Sequence, residues 1–179
     1  LSTNGNNLSD VNTVTYDTGK IGNAAKFASA NKEYLDITDA AQKGLDITGE
    51  LTLSAWIKTS STADQVIMSK HGTPSQRGYS LQTLQIDGSN KLNFYEAPDS
   101  STLVNITSTA TLSINTWYHC LGTYDGSYLR LYINGSQAAD PVSYNQGSYD
   151  NTNPFRIGAY NYDGSYFNGL IDEAIIWNK

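Results

Sequence analysis

The sequence predicts an all-β protein built as a two-sheet antiparallel sandwich, on three observations. Glycine (15) and tyrosine (13) are abundant whereas Glu is scarce, a balance that favours strands and turns over helices. Short runs rich in β-branched and aromatic residues recur roughly every ten residues between turn signals. Residues 117–137 hold two such runs around Asp125-Gly126, which is typical of a hairpin.

The chain is expected to form one domain over residues 1–179. It begins at Leu1 rather than at Met, which is typical of a segment processed or excised from a longer protein. A net charge of −6 without any basic cluster argues against nucleic acid as a partner. The longest apolar runs fall far short of the ~20 residues that span a bilayer, so no membrane insertion is expected.

The first third of the chain is predicted to contain short strands and one helical turn. Residues 11–16 alternate as VNTVTY, like a strand, and two more strands are expected at residues 24–27 and 34–37. Residues 39–47 are the only segment predicted to be helical, because Asp39 can cap a turn that Gly44 can end.

The middle of the chain is predicted to supply the core strands. Residues 51–58 place Leu51, Leu53, Ala55 and Ile57 on one face. Further strands are expected at residues 65–69, 79–86, 92–96 and 103–108, separated by turn signals.

The central hairpin and the chain after it complete the prediction. Cys120 lies within the hairpin's first strand and is expected to be a small buried apolar residue. Residues 138–154 are polar and are predicted to form a long surface loop. Strands at residues 155–160 and 169–177 then flank a Tyr-rich turn.

Five segments together carry a family resemblance. They are GKIGNAAKF, LTLSAWIK, NTWYHCLGTYDGSYLRLYINGSQ, FRIGAY and FNGLIDEAIIW, in this order along the chain. Over residues 19–177 the sequence resembles the laminin G-like, concanavalin A-like jelly-roll domain. The resemblance implies two curved antiparallel sheets in a module that is secreted or displayed on a cell surface.

The sequence departs from the family pattern in two places. Relatives usually open with a first strand that carries an aromatic and acidic motif, whereas Leu1 begins after it, so this edge is expected to be missing or supplied by another segment. Relatives often carry acidic residues after the position of Phe27, where this chain has Ala28, Ser29 and Ala30. This second departure weakens any metal site that would use that turn.

Catalytic patterns are not found in the sequence. The same fold hosts glucanases, which carry Glu-x-Asp-x-x-Glu on one strand because retaining hydrolysis needs two carboxylates about 5 Å apart. None of the four Glu residues begins such a motif: Glu33, in EYLD, has an Asp close by, but no Glu follows. His71 lies in a turn, His119 is expected to pack in or beside the core, and no Gly-x-Ser-x-Gly occurs. The chain is therefore predicted not to be an enzyme.

The Tyr-rich turn is the predicted ligand site. Flat apolar sugar faces stack on aromatic rings while hydroxyl groups take hydrogen bonds from Asn and Asp. The alternative is that these tyrosines only cover sheet faces, and the three tryptophans, Trp56, Trp117 and Trp177, are expected in the core. The candidate ligand-binding residues are Tyr160, Asn161, Tyr162, Asp163 and Tyr166.

A calcium ion is the one cofactor that the sequence suggests. Calcium accepts carboxylates and carbonyls from separate loops, and in the laminin G-like group it often lies at the rim of the sandwich. Asp172 resembles a family metal ligand, and Asp10 could approach it from the start of the chain. The alternative is that Asp172 accepts hydrogen bonds from backbone amides and joins the last strand to the first loops.

The leading functional hypothesis is a non-catalytic carbohydrate-binding or adhesion module of an extracellular or cell-surface protein, with a glycan or glycosylated surface as its partner. The alternative is a structural or protein-interaction domain of a multidomain surface or fibre protein, with another protein chain as its partner and no sugar site.

Overall fold

Two antiparallel sheets packed face to face form the protein, as predicted from the sequence. The computed structural model describes residues 4–72, 76–162 and 165–179. Within those residues the only helical element is a 3-10 turn at Ser29–Asn31. No helix in the described part of the chain is long and apolar enough to cross a membrane.

The seven-stranded sheet has the order β1-β4-β14-β6-β7-β8-β9. Its strands are β1 (Ser9–Val11), β4 (Tyr34–Ile37), β6 (Gln65–Ser69), β7 (Ser80–Ile86), β8 (Ser89–Glu96), β9 (Val104–Thr111) and β14 (Phe155–Ile157).

The eight-stranded sheet has the order β12-β11-β10-β5-β15-β3-β2, and β13 also pairs with β11. Its strands are β2 (Thr15–Thr18), β3 (Asn23–Phe27), β5 (Leu51–Thr59), β10 (Tyr118–Tyr124), β11 (Tyr128–Ile133), β12 (Ser136–Gln137), β13 (Val142–Ser143) and β15 (Gly169–Trp177).

The core lies between the sheets, where alternate residues of facing strands meet. The predicted apolar face of β5 is fully buried, with Leu51, Leu53, Ala55 and Ile57 each 0% exposed. Gly122 of β10 lets the two sheets approach closely, because a Cβ atom there would lie 2.6 Å from the ring of Phe94.

Residues 11–16 do not form one strand, contrary to the prediction. β1 ends at Val11 in one sheet and β2 begins at Thr15 in the other. Between them Asn12 and Thr13 adopt φ angles of 62° and 68°, in the left-handed region, which interrupts the regular extended backbone of a strand. The alternation of residue types continues through residues 12–14, although the first strand ends there and the chain crosses to the other sheet. Alternation alone therefore predicted one strand where there are two.

Residues 39–47 form a single turn rather than a helix. The N–H groups of Ala41 and Gln42 both donate to the Thr38 carbonyl oxygen, 3.0 Å away. The Asp39 carboxylate accepts a hydrogen bond of 2.8 Å from the buried ammonium group of Lys70. Asp46 lies 2.7 Å from the same ammonium group, so Lys70 fixes both ends of the segment to the sheet.

Residues 138–154 are not wholly a surface loop. They include β13, and the side chains of Tyr144 and Asn151 are buried. The Tyr144 hydroxyl donates to the Gly147 carbonyl oxygen, and the Asn151 amide donates to the Lys70 carbonyl oxygen at 3.2 Å. Side-chain hydrogen bonds to the backbone thus fold the polar segment onto the sheet, where hydropathy alone predicts exposure.

The predictions for single buried residues hold for Cys120 and His119 but not for tryptophan. Cys120 is 0% exposed, and burial raises the pKa of its thiol. His119 is half-buried beside the core, with its Nε2 2.8 Å from the Ser54 hydroxyl oxygen. Trp56 and Trp117 are half-buried and Trp177 is 38% exposed, so none of the three is a core residue.

The edge of β15 is open along part of its length. β3 pairs with β15 only at Gly169–Ile171, and no other strand in the described residues covers that side of Ile175–Trp177. A crevice of about 650 Å³ lies beside it between the sheets. Its lining residues include Leu8, Leu45, Met68, Phe155, Ile157, Ala174 and Ile176.

Candidate functional site

Paired residues on β6 to β9 build a polar surface on the outer face of the seven-stranded sheet. Residues directly opposite each other on neighbouring strands share a face. One row across the sheet consists of Ser69, Ser80, Tyr95 and Asn105, and the next row consists of Val66, Gln82, Asn93 and Thr107.

Two tyrosines that follow β14 cover part of this surface. Tyr160 is buried and packs in one cluster with Val66 and Tyr95. Tyr162 stacks on Tyr160, with ring centroids 5.2 Å apart and planes within 5° of parallel. Tyr162 is 42% exposed, so its ring is open to solvent while its neighbour anchors it.

His71 lies beneath the tyrosines as a buried neutral imidazole. Its ring centroid lies 5.0 Å from that of Tyr95, 5.1 Å from that of Tyr160 and 5.8 Å from that of Tyr162. Burial, with a smaller contribution from the charge of Arg77, lowers the pKa of His71 to about 4. The Gly78 N–H points at Nδ1 from 3.4 Å, which places the ring proton on Nε2.

An open groove of about 310 Å³ lies between these aromatic residues and the beginning of β9. A groove of this size with apolar walls and a few fixed polar groups is typical of a small-ligand site. It is lined by twelve described residues, which are Asp64, Gln65, His71, Gln82, Leu84, Asn93, Tyr95, Leu103, Asn105, Tyr160, Tyr162 and Ser165.

Hydrogen bonds fix the amide groups on the floor of the groove. The Gln82 amide Nε2 donates to Asn93 Oδ1 at 2.9 Å. Asn93 Nδ2 in turn donates to Thr107 Oγ1 at 2.8 Å and to Asn105 Oδ1 at 3.2 Å. Because this network orients each amide before a ligand arrives, binding need not order these side chains.

The structure divides the predicted ligand-binding residues. Tyr160 and Tyr162 line the groove. Asn161 has a positioning role, because its Nδ2 donates to the Pro154 carbonyl oxygen at 3.0 Å. Tyr166 lies apart from the groove and packs against Tyr34, with ring centroids 6.3 Å apart, and Asp163 lies outside the described residues.

Sequence reasoning missed the floor of the groove. Alternation in β7 and β8 could have placed Gln82 and Asn93 on the outer face, because their neighbours Leu81, Leu92 and Phe94 are apolar. Only the topology shows that residues 160–162 cover that face. The sequence around His71 is that of a turn and carries no signal of a lining residue.

Asp172 joins the last strand to the turn that precedes β3. Its Oδ2 accepts hydrogen bonds of 2.8 Å from the N–H groups of both Lys20 and Ile21, and Oδ1 accepts one from the Glu173 N–H. Gly19 is required here, since a Cβ atom would lie 2.5 Å from Oδ2. The arrangement is the backbone clamp that the sequence offers as the alternative to calcium.

Asp10 accepts its hydrogen bond from a different part of the backbone than Asp172 does. It lies on β1 of the seven-stranded sheet and accepts a hydrogen bond of 2.8 Å from the Val14 N–H, whereas Asp172 lies on β15 of the other sheet. No group of three or more His, Cys, Asp or Glu residues in the described chain could hold a metal. N–H donors at Asp172 oppose a cation, so these residues do not fit calcium well, and the calcium site stays a prediction.

Carboxylates suited to hydrolysis are not paired in the groove. Glu33 is bound by the Ala28 N–H at 2.7 Å and by Asn31 Nδ2 at 2.9 Å. Glu96 is 0% exposed in the core, where burial raises its pKa well above the usual range. Of the described residues that line the groove, Asp64 alone carries a carboxylate.

The class of the protein follows from the fold and from the sequence. Residues 29–179 match the concanavalin A-like lectin/glucanases superfamily, in its laminin G form. The chain therefore belongs to this superfamily. Curated protein sequences give no match.

Solved structures share the fold at low sequence identity. Domain 4 of a GH43 extracellular arabinanase from Geobacillus stearothermophilus, in complex with arabinotriose, is 22% identical with a TM-score of 0.68, over 92% of this chain and 74% of that one. The binding domain of Paraclostridial Mosquitocidal Protein 1 is 19% identical with a TM-score of 0.72, over 98% and 45%. The binding domain of Botulinum Neurotoxin DC in complex with SialylT is 14% identical with a TM-score of 0.67, over 99% and 44%. The chain thus spans less than half of either toxin structure.

Proposed function

We propose that this chain is a non-catalytic carbohydrate-binding module of an extracellular or cell-surface protein, and that a glycan binds in the groove on β6 to β9. The observation that carries the proposal is the exposed Tyr162 ring, held by Tyr160 above a floor of hydrogen-bonded amides. The aromatic ring suits the apolar C–H face of a sugar, and the amides suit its hydroxyl groups.

The chemistry of the groove suits a polyhydroxylated ligand. An aromatic ring packs against the C–H face of a sugar, and fixed amides exchange hydrogen bonds with its hydroxyl groups. Tyr162 supplies the ring, whereas Gln82 and Asn93 supply the amides. Leu103, 41% exposed, adds apolar surface at the groove.

The relatives support the proposal by analogy of fold. The arabinanase domain is in complex with arabinotriose and the neurotoxin domain with SialylT. The arabinanase is described as extracellular, which supports the proposed location. Function depends on the site rather than on the fold, so the groove carries the argument.

A binding role is favoured over hydrolysis because retaining and inverting glycosidases both need two carboxyl groups flanking the bond. Asp64 has no carboxylate partner among the described lining residues. We therefore expect no product when the domain is incubated with an oligosaccharide that it binds.

The test is a glycan array with the purified domain, with and without calcium, followed by calorimetry on each glycan that binds. Tyr162→Ala should abolish binding, because it removes the exposed ring while Tyr160 remains. Tyr128→Ala is the matched control, since Tyr128 is also 42% exposed but lies on β11 of the other sheet. Equal binding by the Tyr162→Ala variant would place any glycan site elsewhere.

The protein-interaction alternative predicts a different result. The array would show no binding, and the domain would form an assembly in which more than about 1,000 Å² around Tyr162 is buried. Cross-linking or hydrogen exchange of such an assembly would locate the interface.

A further inference from the structure

We infer that the groove selects uncharged glycans and rejects those that carry a carboxylate beside the bound sugar. The inference rests on the proposed function and concerns the ligand class of the same groove. It follows from the one charge among the described lining residues and from the position of the cations outside that lining.

The only charged side chain among the described lining residues is Asp64. A neighbouring strand holds its carboxylate in place, because Asp64 Oδ1 accepts a hydrogen bond of 2.7 Å from the Gln85 N–H. A ligand carboxylate in the groove would therefore meet a like charge, and like charges brought together at an interface are unfavourable.

His71 does not compensate for this charge. It is 4% exposed and surrounded by the rings of Tyr95, Tyr160 and Tyr162, and its pKa is lowered to about 4. At neutral pH it therefore offers a neutral N–H donor, which suits a hydroxyl group. Gln82 and Asn93 are uncharged as well.

Arg77 and Lys91 lie on this side of the sheet, and each donates a hydrogen bond to a backbone carbonyl group. Arg77, which lies close enough to influence His71, donates from its guanidinium group to the Ser101 carbonyl oxygen at 2.5 Å. Lys91, on the outer face of β8, donates to the Thr109 carbonyl oxygen. Neither residue lines the groove, and a carboxylate is normally recognised by an Arg or Lys that binds it directly.

The experiment compares pairs of glycans that differ only in a carboxylate. One pair is methyl-esterified trigalacturonate and free trigalacturonate, and the other is the methyl ester of sialyllactose and free sialyllactose. Calorimetry at neutral pH should show the neutral member of a pair binding at least about tenfold more tightly than its acidic partner. Added salt should narrow the difference, because it screens repulsion between exposed charges.

Asp64→Asn should improve binding of the acidic member by roughly two- to fivefold, the range expected for one exposed charge. Asn retains an oxygen that can accept from the Gln85 N–H, so the fold should persist. Glu50→Gln is the control, because it also removes one negative charge from an exposed residue but lies outside the groove. It should leave the affinity for the acidic glycan unchanged.

The outcomes separate the inference from the proposed function. Preference for the neutral members, reduced by Asp64→Asn, supports the inference. Equal or tighter binding of an acidic member overturns it but leaves glycan binding intact, with Arg77 as the residue to test. Failure of the domain to bind any glycan on the array overturns the proposed function and the inference together.

Discussion

Glu96 is a buried carboxyl group that lowers the free energy of unfolding at neutral pH. It shares the inner face of β8 with Leu92 and Phe94, is 0% exposed, and both of its carboxyl oxygens lack a hydrogen-bond partner. Burial raises its pKa well above the usual value of 4.5. The unfolded chain therefore releases a proton that the folded chain keeps as the pH rises above about 4.5.

Glu96→Gln should raise the free energy of unfolding at pH 7 by roughly 1–3 kcal/mol, because Gln is neutral at every pH whereas Glu96 must take up a proton to be neutral in the core, and each tenfold change in proton affinity is worth about 1.4 kcal/mol. Below the pKa that Glu96 has in the unfolded chain, its carboxyl group is protonated in both states and does not lower the free energy of unfolding. As the pH rises from that value toward the pKa of Glu96 in the folded protein, the free energy of unfolding falls. The difference in melting temperature between variant and wild type should thus grow from pH 4 to pH 7. A difference that does not change with pH would contradict this account.

Asp172 is predicted to act through the backbone rather than through a metal. Asp172→Ala removes the acceptor for the N–H groups of Lys20 and Ile21, which should lower the free energy of unfolding by about 1–3 kcal/mol. Urea denaturation measures this loss. Asp10→Ala, which removes the acceptor for the Val14 N–H alone, is the comparison and should cost less.

Chelation distinguishes this role from the calcium site suggested by the sequence. A ligand that binds only the native state raises the melting temperature, so removal of bound calcium would lower it. The backbone clamp predicts the same melting temperature in EGTA and in calcium. A fall in EGTA that is absent in Asp172→Ala would establish calcium binding at Asp172.

At the scale of elements, the contact of β10 with β8 sets the distance between the sheets. Gly122→Ala would place a Cβ atom 2.6 Å from the Phe94 ring and should destabilise the protein by about 1–3 kcal/mol, as overpacking does. Gly49→Ala is the control, because a Cβ atom added there would have no neighbouring atom within 4 Å. Phe94→Leu should partly rescue Gly122→Ala, which a denaturation double-mutant cycle would measure.

Periodicity predicted elements well where one face is buried and poorly where the chain changes direction. β5 follows from apolar alternation, which the local sequence contains in full, whereas β15 was predicted from its apolar composition and is interrupted by a register shift between Asp172 and Ile175. The separation of β1 from β2 depends on left-handed angles at Asn12 and Thr13, which carry no strong sequence signal. Local pattern therefore determines strands more reliably than it determines the sheet that each strand joins.

The candidate site brings together residues from distant parts of the chain. Tyr160 and Tyr162 were predicted from composition, but the floor residues Gln82 and Asn93 and the buried His71 come from other parts of the chain. Their meeting depends on the pairing of β14 between β4 and β6, which connects residues far apart in sequence. Such long-range pairing is what a single sequence does not reveal.

The open side of the sandwich makes a prediction about the stability of the whole fold. Ala174 packs against the core and lines the crevice of about 650 Å³, so a larger apolar side chain there can enter space that is now unfilled. Ala174→Leu should raise the free energy of unfolding by about 1–2 kcal/mol, given ~0.8 kcal/mol per buried CH₂. The same change at the exposed Ala110 of β9 should not, because its side chain would remain in water. Equal urea midpoints for Ala174→Leu and wild type would show that the sheets close the crevice without added volume.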